Sequence, residues 1–85
     1  MLLSRGLSKK VHLQGLNGMI GLKEIRIKKG YSQLKVAMDL FITREALSYY
    51  ENGKRNPSIQ MLLKFSEYYN VSIDYLITGK EFKPK

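Results

Sequence analysis

Four hydroxyl residues, Ser32, Thr43, Ser58 and Ser72, each stand immediately before a stretch whose apolar residues recur at helical spacing. A serine or threonine in that place accepts a hydrogen bond from an amide of the first turn, which is otherwise left without a partner. Four such coincidences in one short chain are stronger evidence than any single cap, because local and longer-range signals agree. No stretch alternates with period two, so strands are not expected. The chain reads as all-α.

The boundaries follow from the same signals. A first helix is predicted over 20–29, with Leu22, Ile25 and Lys29 on one face and Lys23, Glu24 and Arg26 turned elsewhere. Lys28 and Lys29 suit the negative end of its dipole, and Gly30 can take the left-handed closing position. After Ser32, the residues Leu34, Ala37, Met38 and Phe41 form the expected inner face of the second helix. After Thr43, Ala46, Leu47 and Tyr50 do so for a third, which Glu51-Asn52-Gly53 ends. Pro57 keeps the 54–57 loop out of helix. After Ser58, Ile59, Leu62, Leu63, Ser66 and Tyr69 make a single-face pattern that Asn70 can close. Ser72 then precedes a short last helix with Ile73, Leu76 and Ile77, stopped by Gly79.

Residues 1–18 differ. They hold Gly6, Gly15, Gly18 and the pair Lys9-Lys10, with leucines that form no coherent stripe. They are expected to be a flexible basic arm or an extension ahead of a domain over 19–79, with 80–85 as a tail. Residues 1–30 carry +6 of the net +8 charge. Such a balance favours a polyanionic partner. There is no cysteine, which removes disulfides, thiolate metal sites and cysteine nucleophiles. No run approaches the ~18 apolar residues of a membrane span, and the start of the chain lacks a signal peptide's apolar middle. A cytoplasmic protein without membrane attachment is expected.

Catalysis is not expected. His12 is the one histidine, and Asp39, Glu45, Glu51, Glu67, Asp74 and Glu81 are spread over different elements. No glycine-rich phosphate loop is present, and no cofactor or metal is expected.

Several pieces taken together resemble the phage Cro/repressor-type helix-turn-helix family. They are Gly30-Tyr31-Ser32-Gln33, Ala37, Ile42-Thr43-Arg44, Tyr50 to Arg55 with Pro57-Ser58, and the closing Asn70 to Leu76. The likeness covers about Leu22 to Gly79. It implies a five-helix repressor-like DNA-binding domain whose second and third helices form the helix-turn-helix, with Ala37 at their crossing. It also implies a third helix, over 43–52, that reads the major groove of double-stranded DNA.

By position, the base readers are Arg44, Glu45, Ser48 and Tyr49. Arginine can donate two bonds to guanine, and glutamate can accept from cytosine. Tyr50 is assigned to the core beside Leu47. Backbone contacts are expected from Gln33, Asn52, Lys54 and Arg55, with Ser32 and Thr43 as caps first and phosphate contacts second. The implied function is a transcriptional regulator, a repressor binding a two-fold operator as a homodimer. The alternative is an antitoxin-type module that binds a toxin protein and its own operator. Tyr75, Leu76, Ile77 and Phe82 are the stretch that could serve that protein partner, or homodimerisation, or simply cap the core. One position departs from the family pattern. Phe41 stands where a turn glycine is usual, so either its burial offsets a left-handed backbone or the turn is built differently.

Overall fold

The computed structural model describes residues 19–80, so the expectations for 1–18, His12, Glu81 and Phe82 lie outside the described residues. Five helices follow in order: α1 Ile20–Lys28, α2 Gln33–Leu40, α3 Arg44–Asn52, α4 Ile59–Tyr69 and α5 Ile73–Thr78. No strand occurs among the described residues. All four hydroxyl caps are in place. Ser32, Thr43, Ser58 and Ser72 accept from the amides of Lys35, Ala46, Met61 and Tyr75 at 3.0, 2.9, 3.1 and 3.0 Å. α1 has no such cap at Met19, which is buried instead.

Each helix is followed, at once or after one residue, by a left-handed residue: Gly30, Phe41, Gly53, Asn70 and Gly79. Phe41, at φ 59° and ψ 44°, shows how tightly this geometry is held. Its amide donates to Met38 O and that of Ile42 to Ala37 O, which satisfies two carbonyls at the end of α2. A side chain in this conformation costs about 1–2 kcal/mol. Burial does not offset that cost, because Phe41 is 91% exposed. Phe41→Gly is therefore expected to stabilise the domain. The relieved strain exceeds the roughly 0.5–1 kcal/mol that glycine's extra unfolded freedom costs. A gain of up to about 1 kcal/mol corresponds to a rise of about 4–8 °C in Tm, which a thermal melt by circular dichroism would detect.

The core is built from Leu22, Ile25, Val36, Leu40, Leu47, Met61, Phe65, Tyr69, Tyr75 and Leu76, with Met19 at its margin. Ala37 is buried as well, as its place at the crossing of α2 and α3 requires. Two inner faces differ from the periodicity reading. On α2, Val36, Ala37 and Leu40 face inward, while Leu34, Met38 and Phe41 are exposed, so Leu34 anchors nothing. On α4, the buried line is Met61, Phe65 and Tyr69, and Ile59 and Leu63 point to solvent. Both helices carry two overlapping apolar stripes, and periodicity cannot choose between them. Packing can: Phe65 of α4 meets Tyr50 of α3 edge-on at 6.0 Å between ring centroids.

α1 and α5 also need correction. Lys29 is exposed, and Arg26, expected to point away, is half-buried. Tyr75 and Leu76 belong to the core, so Ile77 alone of the described C-terminal stretch is free for a partner protein. α1 packs chiefly on α5, and Gly21 allows it. A Cβ at Gly21 would lie 1.6 Å from Tyr75 O.

Asp39, at the end of α2, ties that helix to α4. It accepts from the Tyr68 hydroxyl and from Lys35 Nζ at 2.9 Å. These two bonds, Tyr68's first, lower the Asp39 pKa below the ordinary carboxylate value. A depressed carboxyl contributes stability above its unfolded value and loses it as pH falls through the folded value.

Candidate nucleic-acid interface

α3 divides by side. Leu47 and Glu51 are buried, and Ala46 and Tyr50 are partly covered. Arg44, Glu45, Ser48, Tyr49 and Asn52 fall at offsets 0, 1, 4, 5 and 8, one continuous outward face. Arg44, Glu45, Tyr49 and Asn52 are exposed and Ser48 is partly so. All four expected readers thus lie together, on the helix expected to carry them.

Two contacts give this face order. Asn52 Nδ2 donates to Ser48 Oγ at 3.2 Å, which links an expected grip to an expected reader. The Arg55 guanidinium lies over the Tyr49 ring, 5.8 Å from its centroid, and limits where that ring can turn. Gly53 turns the chain after α3, and the Lys54 amide closes the helix on Tyr49 O at 2.9 Å. Lys54 and Arg55 follow at once, both exposed. At the other margin Ser32 and Thr43 serve as caps, with exposed positions at the starts of α2 and α3.

Gln33 is held by a network the sequence reading missed. Glu51 Oε2 accepts from Arg26 Nε at 2.6 Å, and Oε1 accepts from Arg26 Nη2 at 3.1 Å and from Gln33 Nε2 at 3.0 Å. Arg26 Nη1 also donates to Tyr31 O at 2.9 Å. The Glu51 side chain is 1% exposed. Hydrogen bonding to Glu51 raises the Arg26 pKa further above its ordinary value, so the guanidinium stays charged.

The network joins α1, the chain before α2, the first residue of α2 and the last turn of α3. Gln33 spends one hydrogen of its side-chain amide on Glu51, and that amide carries a second. A signal was present in the sequence: Glu51 lies four residues beyond Leu47 and Arg26 four beyond Leu22, each on a buried face. Among the described residues no group of acidic or histidine side chains forms a metal site. No helix among them is long and apolar enough to cross a membrane.

A family model described as helix-turn-helix matches residues 22–76. The HTH-type transcriptional regulator ImmR of Bacillus subtilis is 47% identical over 64 residues, covering 75% of this chain and 50% of that protein. The SPbeta prophage-derived regulator YonR, also of Bacillus subtilis, is 45% identical over 58 residues, 68% of this chain and 54% of its own length. The transcriptional activator BcrR of Enterococcus faecalis is 35% identical over 60 residues, covering 71% of this chain and 29% of that protein. The chain thus spans about half the length of the first two relatives and less of the third.

Proposed function

This chain belongs to the helix-turn-helix family of the Cro/repressor type, and on that basis we propose that it binds a specific double-stranded DNA operator and regulates transcription there, as a repressor acting in the cytoplasm. One observation carries the reading: Arg44, Glu45, Ser48 and Tyr49 share the outward face of α3. In this reading α3 enters the major groove. Arg44 pairs with a guanine edge and Glu45 with a cytosine amine, while Ser48 and Tyr49 contact the bases beyond. Gln33, Ser32 and Thr43 hold phosphates on one side, and Asn52, Lys54 and Arg55 on the other.

The mechanism needs no chemistry and no cofactor. Bound at a promoter, the domain denies that stretch of DNA to other proteins. One short reading helix contacts few base pairs, so two copies on a two-fold operator supply the specificity. The domain doing this is residues 19–79.

Arg44→Ala and Lys54→Ala separate reading from gripping. Arg44→Ala is expected to lose preference at one base position, at about 1–3 kcal/mol. Lys54→Ala should weaken binding to every sequence and flatten its salt dependence by about one charge. Fluorescence anisotropy on operator and scrambled duplexes at several salt concentrations measures both. If Arg44→Ala lowered affinity for both duplexes equally, α3 would not be reading bases through that residue.

A further inference from the structure

The Arg26–Glu51 pair holds more than the fold requires. Arg26 alone occupies both carboxylate oxygens, with Nε on Oε2 at 2.6 Å and Nη2 on Oε1 at 3.1 Å, and its charge offsets that of Glu51. A third bond is added on Oε1, from Gln33 Nε2 at 3.0 Å. Gln33 is the first residue of α2 and only half-buried, so water could serve its amide as well. The third bond therefore does more for Gln33 than for Glu51.

Its effect on Gln33 is directional. A glutamine amide has a donor nitrogen and an acceptor oxygen, and unrestrained it presents either. The Glu51 carboxylate, paired with a guanidinium, only accepts. The nitrogen must face it, because turning the amide over would set its oxygen against a carboxylate. A phosphate oxygen makes the same demand, since it too accepts. The orientation that Glu51 excludes is thus the one that would repel a phosphate.

We propose that Glu51 and Arg26 are positioning residues for DNA, which fix the Gln33 amide before a duplex arrives and leave its second hydrogen for a backbone phosphate. This rests on the reading that the start of α2 lies against the DNA backbone. Glu51 sets the orientation. Arg26 holds Glu51 in place and supplies the charge that lets a carboxylate stand behind a phosphate contact without repelling the anion. Ordering a long side chain in advance also removes an entropy cost otherwise taken from binding, which for one such side chain amounts to about tenfold in affinity.

Two measurements test this. In the free, isotope-labelled protein, relaxation of the side-chain amides should show Gln33 ordered on the picosecond-to-nanosecond scale and the exposed Gln60 mobile. Equal mobility of the two would overturn the proposal, and this test needs no variant. The second is a cycle of duplex affinities by fluorescence anisotropy, at a temperature where every variant keeps its helical spectrum. Gln33→Ala should weaken binding about tenfold, alike on a duplex recovered by selection and on a scrambled one, because phosphates carry no sequence. Arg26→Met with Glu51→Leu should weaken it by a similar factor, and Gln33→Ala added to that pair should cost less than about twofold more. A Gln33→Ala that binds as the wild type does, or that costs the same in both backgrounds, would overturn the positioning role and leave base reading by α3 intact. A wild type that binds neither duplex would overturn both.

Discussion

Arg26→Ala is expected to destabilise this domain by about 3–5 kcal/mol. The guanidinium occupies both oxygens of Glu51, whose side chain is 1% exposed, and without it that carboxylate keeps only Gln33. Leaving a buried charge unpaired costs far more than the pair itself contributes. Total stabilities of about 5–15 kcal/mol are typical, and a domain this small falls toward the lower end. The variant should therefore be partly unfolded at room temperature. Urea denaturation followed by circular dichroism measures the loss. Arg26→Met with Glu51→Leu is the informative control, because replacing both charges with apolar side chains is close to neutral in many buried pairs. That double variant should recover most of the stability yet leave the Gln33 amide without its acceptor. A loss below about 1 kcal/mol for Arg26→Ala would mean that the pair is not a structural tie.

Gly21→Ala sets two effects of opposite sign against each other. Helix propensity favours alanine over glycine by about 1 kcal/mol. Packing opposes it, because the added Cβ would lie 1.6 Å from Tyr75 O and 2.6 Å from the carbonyl carbon. The obstacle is backbone, so no side-chain rotation relieves it. α5 has to move away from α1, and Tyr75 and Leu76 move with it out of the core. Overpacking of this kind costs about 1–3 kcal/mol and occasionally more. With the nearest atom fixed, the upper end is expected, a net loss of about 2 kcal/mol or more after propensity. A thermal melt that rose rather than fell would show that α5 yields freely, and that the contact between α1 and α5 is loose.

Much of this architecture was legible in the sequence, and the reason is local. Caps and closing residues act within a few residues of themselves, so Ser32, Thr43, Ser58, Ser72, Asn70 and Gly79 mark helix ends without knowledge of the fold. The outward face of α3 was legible for a similar reason, since one helix fixes which of its residues lie together.

What failed depends on contacts between distant residues. Leu34, Met38, Ile59 and Leu63 satisfy the helical period as well as Val36, Leu40, Met61 and Phe65 do, and only the neighbouring helices decide which set is buried. Gly21 carries no local signal of its role, which is set only by α5 lying across it. Glu51 looked like the polar end of a helix, and its partners stand 25 and 18 positions away. Phe41 is the case between. The left-handed turn was foreseen as one of two alternatives, but not that the ring would stay in solvent.

These lines meet in one claim, that the outward face of α3 reads DNA sequence. Selecting bound duplexes from a random library tests it most directly, with wild-type protein and Arg44→Ala run side by side. The wild type is expected to recover two short half-sites in inverted orientation, with centres about one helical turn apart. Arg44→Ala is expected to recover the same half-sites with preference erased at one position in each, a guanine in the wild-type set. Recovery of no preferred sequence by the wild type, or of an unchanged preference by Arg44→Ala, would contradict it.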